Sequence, residues 1–204
     1  MRSVSLTLVA DGSSDRVLLP LIGALMDLHC PLPFVAQFAE GLPPSAKTTR
    51  DRMRVAFSLY PCDLLFVHRD AEGEDPSARE AEIRRGLEGM ALSPSLICVV
   101  PVRMTEAWLL TSEIAIRAAV GNPNGSAPLD LPSRRNVESV DAKEALFRAL
   151  TAAKDLGPRR RRSFRPEAYR HRVAELLQDL GSLRKLASFR RLETQVSSFF
   201  SDHP

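Results

Sequence analysis

Blocks of apolar residues recur at regular intervals in the first half of the chain. Residues 4–10 alternate apolar side chains with Ser and Thr, a pattern that indicates a β-strand. Residues 63–68 and 95–102 are nearly continuous apolar runs, which are typical of strands buried on both faces of a parallel sheet. A shorter candidate strand covers residues 34–38. The pattern therefore predicts four strands in this half of the chain.

Segments with helical spacing of apolar residues separate these strands. They cover residues 15–28, 46–59 and 77–90, and a further helix begins after Thr105 and runs to residue 110 or on to Val120. Pro20 lies inside the first of them, so that helix either kinks or begins later. Because strands and helices alternate, we expect an α/β fold with a mostly parallel sheet flanked by helices.

The second half of the chain contains only helical patterns. A loop rich in Gly, Pro, Asn and Ser covers residues 121–132, and helices are predicted at residues 141–154, 166–180 and 188–200. The expected organisation is an α/β domain over residues 1–120. Residues 121–204 then form a loop and a helical C-terminal extension packed on that domain.

Composition indicates the class of protein and the cellular compartment to expect. It is 44% hydrophobic and 26% charged, as expected for a globular protein with a core, and no apolar run approaches the length of a membrane span. The N-terminal residues alternate like a strand and do not resemble a signal peptide. Three isolated cysteines fit buried thiols in a reducing compartment. We therefore expect a cytoplasmic protein.

Charge is unevenly distributed along the chain. Residues 154–191 hold twelve basic residues against four acidic ones, so this segment carries +8 and the rest carries −5 of the total of +3. The segment includes the run Arg159, Arg160, Arg161 and Arg162. These arginines are candidate contacts to the phosphates of a nucleic acid. The alternatives are a mobile basic loop between helices and docking on an acidic partner protein.

Acidic residues follow the predicted strands directly. Asp11 ends the first strand, Asp70 and then Glu72 follow the third, and Glu106 follows the fourth together with Arg103. The carboxyl ends of parallel strands meet at one edge of a sheet, where ligands bind. Clustered carboxylates repel one another, and a divalent cation such as Mg²⁺ relieves that repulsion. Such a site serves phosphoryl transfer or phosphodiester hydrolysis. The alternative is that these acids are ordinary turn and capping residues.

The same arrangement resembles the Toprim domain of topoisomerases, primases and overcoming-lysogenization-defect nucleases. Residues 9–15 match its first motif and residues 68–73 its second, and the string Pro-x-Arg-Met-x-Glu-Ala-Trp at residues 101–108 is similar to a family of bacterial Toprim-like proteins of this size. The resemblance implies Mg²⁺ or Mn²⁺ held by Asp11, Asp70 and Glu72. It also implies a nuclease linked to phage defence or mobile elements, with nucleic acid as substrate and an ATPase as a possible partner.

Two departures from the Toprim pattern leave a second function open. Asp11 stands where Toprim proteins have Glu, and Glu72 stands where they have a second Asp. The catalytic candidates are Asp11, Asp70, Glu72 and Glu106. The alternative function is a catalytically degenerate adaptor that binds a partner ATPase or nucleic acid.

Three further residues have two interpretations each. Arg103 either contacts a substrate phosphate or forms an ion pair with Glu106. Trp108, which lies among leucines, is expected in the core rather than as a stacking platform. His68 is expected to be a packing histidine, with a role as metal or phosphate ligand as the alternative.

Overall fold

The structure is a computed structural model that describes residues 3–89, 94–133, 135–177 and 180–202. Its centre is a sheet of four strands, all parallel, in the order β2-β1-β3-β4. The strands are β1 (Val4–Val9), β2 (Phe34–Phe38), β3 (Leu64–His68) and β4 (Ser95–Val99). The α/β fold with a parallel sheet flanked by helices is thus confirmed. All five residues of β3 are buried, which explains its continuous apolar sequence.

The first three helices lie between the strands. They are α1 (Leu19–His29), α2 (Thr49–Leu59) and α3 (Pro76–Gly86). The predicted helix at residues 15–28 begins instead as a short 3-10 helix, Ser13–Leu18, and α1 follows with Pro20 in its first turn. Proline is tolerated there because the first turn of a helix has no intrahelical acceptor for its N–H groups. The predicted end of the third helix at Met90 lies outside the described residues.

The two faces of the sheet are covered by different sets of helices. Alternate residues of the strands, such as Leu8 and Phe66, face a large core built with α1 and the helices that follow β4. The intervening residues, such as Val67, face a smaller core with Met53 of α2 and Ile83 of α3. The two helices approach closely at Gly86, where a Cβ atom would meet the terminal methyl group of Met53 and lie 3.6 Å from Arg50 Cα.

After β4 the chain forms two short helices. The longer of the two predictions for this segment was a single helix that runs on to Val120. The two helices are α4 (Glu106–Leu109) and α5 (Glu113–Ala119). Ser112 separates them because its hydroxyl accepts a hydrogen bond from Ala115 N and caps α5. Trp108 in α4 is fully buried, donates from Nε1 to Ser188 Oγ and packs edge-on against Phe189. The prediction that Trp108 belongs to the core is confirmed.

The remaining helices complete the core on the α1 side of the sheet. They are α6 (Ala142–Lys154), α7 (Pro158–Arg161), a 3-10 helix (Pro166–Tyr169), α8 (Arg170–Leu176), α9 (Leu180–Leu183) and α10 (Ala187–Asp202). The predicted helix at 166–180 therefore ends early, and its residues 178 and 179 lie outside the described ranges. Gln195 of α10 pairs its side-chain amide with both the N–H and the C=O of Cys98, which covers the outer edge of β4.

None of the helices in these described ranges combines the length and apolar character that crossing a membrane requires.

Candidate functional site

The chain reverses its direction across the sheet between β1 and β3. From β1 it continues to β2 on one side, and from β3 it continues to β4 on the other. In open parallel sheets this switch point opens a crevice beyond the carboxyl ends of the two strands, and ligands bind there. We refer to the region between the residues after β1, Asp11 to Asp15, and those at the end of β3, His68 to Asp70, as the crevice.

His68 is a buried histidine whose ring orientation is fixed. Its Nδ1 lies 3.0 Å from the carbonyl oxygen of Val99, and because a carbonyl only accepts, Nδ1 carries the proton and donates. Nε2 therefore points toward the crevice, 3.5 Å from Asp70 Oδ1 and 4.0 Å from Asp15 Oδ2. The prediction of a packing histidine is confirmed by its burial, yet this ring also reaches two carboxylates.

Asp70 is the carboxylate most strongly perturbed by its surroundings. Its pKa is raised to about 6, chiefly by burial and also by the charges of Asp15, Glu106 and Glu72, while His68 opposes the rise. The Oδ1 atom of Asp70 is buried and has no hydrogen-bond partner among the described residues. A buried carboxylate oxygen without a donor is costly, so this atom is suited to a ligand that supplies positive charge.

Asp15 also belongs to this cluster of acids. From the sequence it was predicted only as the start of a helix. Its Oδ2 accepts a hydrogen bond from Gly12 N at 3.1 Å, which turns the side chain back toward the crevice. Only 17% of the side chain is exposed. The signal available in the sequence was a second acid four residues after Asp11, within the turn that follows the strand.

Asp11 lies at the same edge of the sheet, but its carboxylate forms ion pairs with arginines. Its Oδ2 is 3.2 Å from Arg69 Nε, and its Oδ1 is 4.0 Å from Arg52 Nε. Arg52 also donates to the carbonyl oxygens of Ala10 and Asp11, and so caps the end of β1. Asp11 is therefore neutralised by cations, whereas Asp15, Glu72 and Glu106 are the carboxylates that act on Asp70.

Glu72 occupies a strained turn beside this cluster. Its φ is 55° and that of Gly73 is 90°, and a left-handed conformation is uncommon for a residue such as Glu. Backbone hydrogen bonds from Ala71 N to Pro101 O and from Gly73 N to Val102 O hold the turn against the segment after β4. The Glu72 side chain is exposed at the mouth of the crevice.

Glu106 has a different partner from the one considered for it. It is buried and pairs with Arg170 of α8, whose Nη2 lies 2.8 Å from its Oε1. Arg103 is exposed and donates from Nη1 to the carbonyl oxygen of Ser139. The interpretation of Arg103 as the ion-pair partner of Glu106 is therefore wrong.

The arginine run is exposed and partly helical. Pro158–Arg161 form α7, so this segment is not the loop that was one alternative. Within the described ranges no carboxylate lies within 4.0 Å of the guanidinium groups of Arg159, Arg160, Arg161 or Arg162. These four charges are therefore available to an anionic partner.

The residues at the switch point have a partial fit to a divalent cation. In the part of the chain that the structure describes, no group of three or more His, Cys, Asp or Glu is arranged to hold a metal ion. Mg²⁺, however, commonly uses one or two carboxylates together with waters and substrate phosphates rather than a complete protein cage. Asp70, with its unpaired oxygen beside Asp15 and Glu72, meets that smaller requirement.

Comparisons of the chain with family models, curated proteins and solved structures found no match. The resemblance to the Toprim family therefore stays a prediction.

Proposed function

We propose that this chain is a Mg²⁺-dependent hydrolase that cleaves phosphodiester bonds in nucleic acid at the crevice between β1 and β3. The single observation that supports this proposal is the state of Asp70. Its side chain is half-buried near three other acids, its pKa is raised to about 6, and its buried Oδ1 lacks a hydrogen-bond partner in the described residues. Perturbed, incompletely satisfied acids in a crevice are typical of catalytic sites rather than of structural ion pairs.

Asp70 is the principal metal ligand in this proposal, and the charges of Asp15 and Glu72, which act on Asp70, favour a cation there. A bound Mg²⁺ would polarise the phosphate and lower the pKa of a water molecule. Asp11, which was expected to bind the metal, instead holds the Arg69 guanidinium at the end of β3. His68 borders this ligand, because its ring is fixed by Val99 and its Nε2 lies 3.5 Å from Asp70 Oδ1.

The cations around the crevice support an anionic substrate. Arg103 is exposed near the end of β4 and is the proposed contact to the substrate phosphate. The four arginines at residues 159–162 supply a separate exposed basic surface for the nucleic-acid backbone. A role in phage defence or mobile-element biology, with a partner ATPase, follows from the Toprim resemblance alone and is part of the proposal on that basis.

The proposal is tested by cleavage of supercoiled plasmid and of single-stranded RNA with Mg²⁺ or Mn²⁺. The wild-type protein should cut in the presence of metal and stop when a chelator is added. Asp70→Asn should lose the activity, because the amide cannot serve as an anionic ligand. Asp27→Asn, an exposed acid on α1, is the matched control and should cut normally.

Binding of Mn²⁺ measured by electron paramagnetic resonance supplies a second readout that does not depend on turnover. Unchanged cutting by Asp70→Asn would exclude Asp70 as the metal ligand. Wild-type protein that neither binds Mn²⁺ nor cuts either substrate would refute the proposed enzyme.

One observation favours a second candidate, the non-catalytic adaptor. Two of the four predicted catalytic acids, Asp11 and Glu106, are already paired with arginines of the chain itself. An adaptor should bind nucleic acid or a partner protein through its basic surface while showing no metal-dependent cutting. The plasmid and RNA assays with and without chelator separate the two functions.

A further inference from the structure

A second concave site lies beside the crevice, at the carboxyl ends of β1 and β2. It is a cleft of about 660 Å³ between the turn after β1 and the loop that leads from β2 to α2. This volume lies within the range of about 300–1,000 Å³ that is usual for small-molecule sites. Residues 10–13 of the first sequence motif line one side of this cleft, whereas the second motif and Asp70 do not contribute to it.

The cleft has an apolar wall and a cationic end. Leu42, Pro43 and Pro44 from the β2–α2 loop supply the wall together with the edge of Phe38. Lys47, at the end of that loop, is exposed and supplies a primary ammonium group. A ligand that fills such a space has one flat or apolar part and one anionic part.

The acids that line the cleft do not cancel its positive charge. Glu40 is paired with Arg16, whose guanidinium also lies 5.6 Å from the centre of the Phe38 ring. Asp11 is paired with Arg69 and lies near Arg52. The lining therefore holds the cations Arg52 and Lys47 and the acids Asp11 and Glu40, and Glu40 is neutralised by Arg16 from outside the lining. No carboxylate of the described residues lies within 4.0 Å of Lys47 Nζ, which is therefore the cation of the cleft that is left to bind a ligand.

The walls of the cleft are preformed. The Tyr60 hydroxyl donates to the carbonyl oxygen of Glu40, and Ala39 N donates to Leu8 O, so the start of the loop is tied to the sheet and to the end of α2. Ala46 N donates to Pro43 O and closes the loop on itself. A preformed site loses little conformational entropy when its ligand binds.

We propose that this cleft binds a nucleoside monophosphate unit, with the phosphate at Lys47 and Arg52 and the base against Leu42, Pro43 and Pro44. The choice of a nucleotide among small phosphate esters rests on the proposed function, whereas the phosphate and the apolar ring follow from the cleft itself. Asp11 borders both the cleft and the crevice. A nucleotide in the cleft would therefore lie next to the phosphodiester bond that is proposed to be cleaved at the Asp70 metal site.

The test is calorimetric titration of the wild-type chain with AMP, ribose 5-phosphate and inorganic phosphate in the presence of a chelator. AMP should bind saturably without metal and more tightly than either of the other two, because only AMP places a ring against the apolar wall. Lys47→Ala should weaken AMP binding by about tenfold, as expected for a charge-assisted contact, and Lys47→Arg should keep most of it. Lys143→Ala, an exposed lysine of α6, is the matched control.

The outcomes separate this inference from the proposed function. Equal binding of AMP and inorganic phosphate would overturn the nucleotide, and equal effects of Lys47→Ala and Lys143→Ala would overturn the cleft. Asp70→Asn should retain AMP binding while losing cleavage. A wild-type chain that cuts nucleic acid but binds no AMP at millimolar concentration would refute the inference and leave the proposed function standing.

Discussion

Replacing Asp70 by asparagine should make the protein more stable at neutral pH while abolishing the proposed activity. In the native state the ionised side chain is half-buried near Asp15, Glu72 and Glu106, and its buried Oδ1 has no donor in the described residues. Asparagine removes the charge at almost the same volume. Its amide can donate to Nε2 of His68, which carries no proton when the ring is neutral and Nδ1 donates to Val99.

The expected gain follows from the shift in pKa. The value rises from 3.8 to about 6, and a shift of that size corresponds to about 3 kcal/mol at full burial. Because 33% of the Asp70 side chain is exposed, solvent screening reduces the figure, and we expect about 1–2 kcal/mol.

The pH dependence has a definite sign. A folded-state pKa above the unfolded one means that the native state binds the proton more tightly, so the protein is destabilised as the group ionises. The loss begins as pH rises past 3.8 and is complete above about 6. Asp70→Asn should therefore match the wild type at pH 3.5–4 and exceed it at pH 8, and its stability should vary less across that window.

Urea denaturation in the presence of a chelator, followed by circular dichroism at several pH values, measures both effects. Asp27→Asn, an exposed acid on α1, should leave the curve of stability against pH unchanged. Adding Mg²⁺ should then stabilise the wild type and not Asp70→Asn, since only a native state that binds the ion gains from it. An Asp70→Asn variant that is less stable than the wild type at pH 8 would refute the reasoning, because the carboxylate would then be satisfied in the native state.

Two further predictions concern the arginines. Arg170→Met should destabilise the protein by about 3 kcal/mol at neutral pH in urea denaturation, because it leaves Glu106 buried and unpaired. Arg172→Met, on the exposed side of α8, is the control and should have little effect. Equal losses of stability in the two variants would contradict a stabilising ion pair between Arg170 and Glu106. Replacing the four arginines at residues 159–162 by glutamine should weaken binding to duplex DNA and lower the slope of log K against log salt by about 3. Replacement of Arg50 and Arg54, the two exposed arginines of α2, by glutamine is the control. An unchanged slope in the fourfold variant would exclude the surface at residues 159–162 from DNA binding.

The sheet was predictable because its strands are buried on both faces. Such strands need apolar residues at every position, so the runs at 63–68 and 95–102 stand out without any knowledge of their neighbours. The helix boundaries were harder to predict. The break between α4 and α5 depends on the Ser112 hydroxyl accepting from Ala115 N, and a serine in an otherwise helical pattern does not show whether its hydroxyl caps a helix or faces solvent.

The position of the site followed from the sequence, but the partners of its acids did not. That Asp11 and Asp70 lie at one edge of the sheet follows from strand ends alone. That Arg170 reaches Glu106 depends on how α8 packs on the sheet, which no local pattern encodes. Asp15 was missed for a related reason, since an acid in the first turn of a helix is ordinarily explained by capping and dipole effects.

The way each acid is compensated decides which of them remains free for chemistry. Arg69 neutralises Asp11, and Arg170 neutralises Glu106 with a buried ion pair. Asp70 has no arginine or lysine within 4.0 Å in the described residues, and His68 Nε2, which also contacts Thr105 Oγ1, lies 3.5 Å from its Oδ1 without satisfying it. Since burial without compensation costs stability, a chain that keeps an acid in this position gives up stability that asparagine would restore. A functional requirement for a negative charge at Asp70 is the simplest reason for a sequence to retain it, and that requirement is what the paired measurements of stability and cleavage examine.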